Sequence, residues 1–272
     1  MAEPEARPDD AVDPDLPGSV LAVAERNRAA LYRWFARLFF CPPGEPEVGE
    51  LRDGRMRAVL ESLAATPGAG AAVAAIRRVL DQGSAASVAR ALGAAHTCLF
   101  DGAGGHRVTP PYRSFFSNDA GLLCQEATGE MEQVLRHYQL KLDADVHEPA
   151  DHLSLQLEAM AQLALRTAAA IASELDAPTP AATELHAGQA TFLDGQLLSW
   201  VPRFAERLAA VDETGCGFHA SLAALLVIFL EQDRGYLAEI VEPPTGNSTT
   251  PFAEGARSAD RLGAPGIQFR SS

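Results

Sequence analysis

The chain has 272 residues, enough to bury a large core, and is 47% hydrophobic but only 7% aromatic. Its formal charge of −14, from 36 acidic and 22 basic side chains, excludes a nucleic-acid partner, because holding phosphates takes clustered lysine and arginine. Alanine and leucine dominate while the strand formers are sparse, so the expectation is an all-α protein, a single helical-bundle-like domain of about eight to eleven helices with disordered tails.

Residues 1–16 set Glu3, Glu5, Asp9, Asp10, Asp13 and Asp15 against Arg7 alone and lack an apolar period, which predicts a disordered acidic segment before a helical domain over 17–241. The N-terminus is acidic and proline-rich where a secretory leader is basic and then apolar, and no uncharged apolar run of about 18 residues occurs. The reading is a cytoplasmic protein without stable membrane insertion. Cys41, Cys98, Cys124 and Cys216 stand singly, with no C-x-x-C pair, and are expected as reduced, mostly buried thiols.

Leu31, Trp34, Phe35, Leu38 and Phe39 recur at helical spacing and give the first helix a wide apolar stripe, with Arg26, Arg28, Arg33 and Arg37 assigned largely to its other side. Cys41-Pro42-Pro43-Gly44 ends it. Shorter helices are expected near 50–65, 69–81 and 84–100, separated by Pro67-Gly68 and Gly83-Ser84. The run Asp101-Gly102-Ala103-Gly104-Gly105 lacks the Gly-Lys-Ser/Thr of a phosphate cradle and reads as an ordinary loop.

Two rigid breaks follow. Pro110-Pro111 forces extended geometry ahead of Tyr112-Arg113-Ser114-Phe115-Phe116, and Glu148-Pro149-Ala150-Asp151-His152 reads as a helix start that places Asp151 and His152 in the first turn. Between them a helix is expected from Ser117 to Tyr138. Beyond them Leu153, Leu157, Met160 and Ala164 begin a helix so broadly apolar that it belongs at the centre, closed by Pro178 and Pro180. Leu193, Leu197, Trp200, Phe204, Leu208 and Val211 continue the helical spacing with Pro202 inside, which predicts a kink or a restart after Trp200. Phe218 to Ile240 forms the last helix, and 242–272 is expected as a loose tail.

No zinc-protease, Walker, nucleophile-elbow or EF-hand pattern occurs. His147, Asp151 and His152 form the only tight cluster of metal-ligating types. On a helix, adjacent residues point about 100° apart and do not converge as a ligand or acid–base pair. The residues alone therefore favour Asp151 as an acceptor for helix N–H groups and His152 as a packed side chain. A metal- or nucleotide-dependent hydrolase at Asp151/His152 and a helical scaffold or regulator stand as alternatives.

Pro111-Tyr112-Arg113-Ser114-Phe115-Phe116, Gly121-Leu122-Leu123, Met131-Glu132-Gln133 and Glu148-Pro149-Ala150-Asp151-His152-Leu153 together resemble the TorD/DmsD family of cytoplasmic chaperones for molybdenum oxidoreductases, closest to the trimethylamine-N-oxide reductase branch. Arg28, Tyr32, Trp34-Phe35, Phe192, Leu197, Trp200, Pro202 and Phe204 extend the likeness over roughly residues 20 to 240. Phe115-Phe116 and Gln196 depart from it, where relatives commonly carry tyrosine and histidine. The resemblance implies an all-helical, non-enzymatic protein, a monomer or a helix-swapped dimer. It implies binding to an apo-molybdoenzyme of the dimethyl sulfoxide/trimethylamine-N-oxide reductase family and to its twin-arginine signal peptide, with no cofactor beyond weak guanine-nucleotide binding. Tyr112, Ser114, Glu148, Asp151 and His152 carry over as site positions, and Pro149 belongs to the same motif. A peptide with two planar cations before an apolar run suits an acidic rim beside an apolar wall. Glu148, Asp151 and Glu126 are expected to supply the rim, and Tyr112, Phe116 and Trp200 the wall.

Overall fold

The computed structural model describes residues 20–103, 105, 108–117, 123, 126–143, 145–173, 180–211, 217–241 and 269–271. The segment 1–16, residues 242–268, Cys124 and Cys216 lie outside the described residues.

Helix α1 (Val20–Phe40) buries the whole expected stripe from Leu31 to Phe39. It lies along α8 (Leu153–Ser173), in which every residue from Leu153 to Ala161 is buried, the all-round burial expected of a central helix. Around this pair run α2 (Glu45–Arg52), α3 (Arg55–Ala64), α4 (Gly70–Leu80) and α5 (Ala85–Leu99). The single helix expected at 50–65 is thus two, divided at Asp53-Gly54. Gly68 and Gly83 take φ of +87° and +81°, the left-handed geometry that lets the chain reverse between α3, α4 and α5.

Next come α6 (Arg113–Ser117), α7 (Glu126–His137) and strand β1 (Leu140–Leu142), so the helix expected over 117–138 occupies its second half. Pro180 opens α9 (Pro180–Phe192) rather than only closing α8, at a position where its missing N–H is not needed. A π-helical turn, Leu193–Leu198, follows. The chain then restarts as α10 (Val201–Val211) with Pro202 in its first turn, as its lack of a backbone donor dictates. Helix α11 (Phe218–Val241) packs on α4, α9 and α10. Strand β2 (Phe269–Ser271) pairs antiparallel with β1, with Leu140 opposite Ser271 and Leu142 opposite Phe269.

Two expectations need correcting. Cys98 is exposed, because the buried positions of α5 run through Leu92, Ala95, His96 and Leu99 and leave residue 98 off that stripe; Cys41 is half-buried. Arg28, placed with the polar residues, is fully buried. Its Nη2 donates to Asp233 Oδ2 at 2.7 Å, its Nε to Asp233 Oδ1, and its Nη1 to Glu25 Oε2 and, at 2.9 Å, to Gln189 Oε1. Tyr32 donates to Asp233 at 2.6 Å, Tyr236 to Glu25 at 2.7 Å, and His186 Nε2 lies 3.0 Å from Glu25. Burial alone would raise the Glu25 carboxyl, yet Arg28, His186 and Tyr236 together hold it below the usual carboxylate range. One charge cluster in the dry interior therefore joins α1, α9 and α11. Gln189 extends it to α8 by donating to Thr167 Oγ1 at 2.8 Å.

Candidate partner-binding site

Pro110 and Pro111 keep the chain extended, and it pairs with the residues that lead into α8. Tyr112 and His152 form an antiparallel bridge. The Leu153 N–H donates to the Pro111 carbonyl at 2.8 Å and the Arg113 N–H to the Asp151 carbonyl at 3.1 Å. The two motifs, 36 residues apart at Tyr112 and Glu148, are thus stitched backbone to backbone, and the Tyr112 hydroxyl donates to Glu148 Oε2.

Bridge geometry keeps His152 out of the helix, so α8 begins at Leu153. Pro149 sits in a turn whose carbonyl accepts from the His152 N–H at 3.0 Å. The expected helix start is displaced by this pairing. His152 instead caps the helix, its carbonyl accepting from Leu155 and Gln156 and its Nδ1 accepting from the Ser154 N–H at 3.1 Å. Its ring lies between Tyr112 and Phe40, at centroid distances of 4.9 and 5.8 Å.

Asp151, expected on an acidic rim, is fully buried. Its Oδ2 accepts from the Ser114 N–H at the start of α6 at 2.8 Å, and its Oδ1 accepts from the Thr128 hydroxyl of α7 at 2.7 Å. The carboxylate does serve a helix N–H, but that of α6 rather than of its own helix. Ser114 is likewise buried. Asp151 and His152 therefore face different neighbours. Among the described residues no three His, Cys, Asp or Glu side chains are grouped to hold a metal ion.

Trp200 also lies beneath the surface, 1% exposed, with Nε1 donating to the Gln196 carbonyl at 2.8 Å and to Gln156 Oε1 at 3.0 Å. Phe116 is half-buried above it, centroids 5.5 Å apart and planes 31° from parallel, so of these two expected wall residues only Phe116 reaches the surface, and neither lines the groove beside the junction. Sequence reasoning left Arg113, Thr128 and Gln196 out of the site. Arg113 Nη1 pairs with Glu130 of α7 at 2.6 Å and donates to Gln196 Oε1 at 3.0 Å, tying α6 to α7 and to the π-helical turn. Arg113 stands inside the quoted motif, but Glu130 and Gln196 are 17 and 83 residues away, beyond any local spacing rule.

Beside this junction lies an open groove of about 620 Å³. Helix α7 supplies Thr128, Glu132 and Leu135, β1 supplies Leu140 and Leu142, and the turn before α8 supplies Glu148 and Pro149. Carboxylates and aliphatic side chains thus share one concave surface. Glu126 is exposed at the start of α7, outside that lining. Arg136 and His147 also face the groove, and Arg136 lies 3.7 Å from Glu132.

Two buried histidines, His152 at the junction and His219 on α11, give the fold a pH signature. Burial pushes His152 down to about 3, Asp151 opposing and His96 adding to the effect, and burial pushes His219 down to about 3 as well. Unfolded, both rings titrate near the ordinary 6.5. The unfolded chain then binds more protons between those values, so the stability these rings contribute is complete above about 6.5 and is lost as pH falls toward 3. Each ring weakens folding roughly tenfold per pH unit across that window. Urea melts at pH about 7 and about 5 should show a lower midpoint in acid, with His219→Phe reducing the difference; coincident midpoints would contradict the burial of neutral rings.

Among the described residues no helix is long and apolar enough to cross a membrane. Residues 63–206 match the nitrate reductase delta subunit family. A protein named "Chaperone protein TorD" from Vibrio parahaemolyticus is 30% identical over 215 residues, which cover 78% of this chain and 94% of the relative. Its namesake from Vibrio cholerae is 28% identical over 222 residues, 82% of this chain and 97% of that protein. The one from Vibrio vulnificus is 31% identical over 215 residues, 78% and 94% of the two chains.

Proposed function

The chain belongs to the TorD/DmsD family of chaperones, and from that membership we propose that it binds the apo form and the twin-arginine signal peptide of a molybdopterin-dependent reductase in the cytoplasm. It is a chaperone for a molybdoenzyme and not an enzyme. Binding supports cofactor insertion and delays export until the client is mature.

The observation that carries this reading is the backbone junction of the two motifs beside a groove that combines Glu132 and Glu148 with Leu135, Leu140 and Leu142. Guanidinium groups of a leader peptide fit carboxylates that present two acceptor oxygens each, and the apolar run behind them fits the aliphatic lining. Asp151, spent on Ser114 and Thr128, holds the floor of the site and makes no contact with the client.

Affinity capture on the tagged full chain from its native cytosol, followed by mass identification, tests the role. A molybdopterin-dependent reductase recovered with its leader uncleaved is expected. Recovery of mature, cofactor-loaded reductase alone, or of no reductase, would overturn it.

A further inference from the structure

The groove has an occupied edge. Strand β1 lines it through Leu140 and Leu142, and the backbone edge of β1 is taken by β2, the chain's own Phe269–Ser271, across three residue pairs. A strand edge is a row of backbone donors and acceptors that any extended peptide can satisfy, whatever its side chains. A two-stranded ribbon of three pairs is marginal by itself, and tethering through the same chain supplies a local concentration on the order of millimolar to hold it closed. Twenty-seven residues separate Val241, the end of α11, from Phe269, so β2 is joined to the bundle by a long connection.

We propose that the β1 edge is a strand-acceptor site for the extended part of a client's leader, and that β2 is an intramolecular placeholder which the leader displaces. This deepens the chaperone reading above and rests on it. The leader's arginines meet Glu132 and Glu148 while its backbone takes over the pairing that residues 269–271 give up. Selectivity then comes from the groove and the placeholder sets a threshold: a peptide without the right side chains does not outcompete the tethered strand. Because only open molecules accept the leader, its apparent affinity is reduced by the open fraction.

The test uses the full chain and its Arg270→Pro variant, in which proline removes a backbone donor in the middle of β2 while the helical body is unaltered. Two measurements are made: hydrogen exchange at residues 140–142, and calorimetric titration with a synthetic leader carrying adjacent arginines before an apolar run. Faster exchange at 140–142 in the variant, protection restored by adding a peptide of residues 262–272, and leader binding tightened by about three- to tenfold are expected. Unchanged exchange, or no protection by the added peptide, would overturn the placeholder. Equal leader affinity for both proteins refutes strand displacement and leaves the chaperone reading standing. No leader binding to either protein ends that reading and the displacement with it.

Discussion

Arg28→Met should lower the free energy of unfolding by about 3–5 kcal/mol. The guanidinium is fully buried and joins Asp233 on α11, 205 positions away, to Glu25 on its own helix α1. Taking the cation away leaves both carboxylates in the dry interior. Glu25 keeps His186 and Tyr236 as partners, but Asp233 keeps only the Tyr32 hydroxyl among its contacts described above. The penalty is therefore mostly that of an uncompensated buried charge and not of a lost attraction. Urea or thermal unfolding reads it directly, as a fall in melting temperature on the order of 10 °C. Adding Asp233→Leu to Arg28→Met should recover part of the loss, because the stranded carboxylate goes too. A single-variant loss below about 1 kcal/mol would mean that the cluster is hydrated and the packing of α1 against α9 and α11 is looser than described.

Asp151→Ala should cost about 2–4 kcal/mol. Its two oxygens are the acceptors for the Ser114 N–H and the Thr128 hydroxyl, and both donors are held on different helices around the motif junction. Truncation strands them together and frees α6 and α7 from the start of α8. Asp151→Asn keeps one acceptor oxygen and should fall between the two in stability. Glu148→Gln is the contrasting variant: Glu148 is half-buried, faces the groove and accepts from the Tyr112 hydroxyl, so stability should change by less than about 1 kcal/mol. Equal stability of the Asp151→Ala protein and the parent in denaturant melts would show that the junction does not depend on this carboxylate.

Much of the scaffold could be read from local patterns. The stripe from Leu31 to Phe39, the broad apolar surface of the helix from Leu153, and the restart around Pro202 all follow from side-chain period and from the missing donor of proline. The two proline breaks were legible, but the backbone pairing between them was not: Pro149 reads as a helix start, and the Tyr112–His152 bridge moves that start to Leu153. What escaped depended on distant partners. Arg28 is indistinguishable from its solvent-facing neighbours until Asp233 is placed beside it, because helical spacing reports only which residues share a face. Asp151 was expected on the rim for the same reason: its acceptors' donors, Ser114 and Thr128, are fixed by tertiary pairing and not by sequence distance. Strand β2 has no period to announce it in three residues beyond a stretch rich in glycine, serine and threonine, and its place is set by pairing with β1.

If the junction of the two motifs presents a surface for another polypeptide, Glu148 contacts the client and Asp151 only supports that surface. Calorimetric titration of a synthetic twin-arginine leader into the parent chain and into Glu148→Gln reads this most directly. Saturable binding by the parent, weakened about tenfold or more in Glu148→Gln at unchanged melting temperature, is the expected result. Identical affinity in the two proteins would contradict the assignment of this surface.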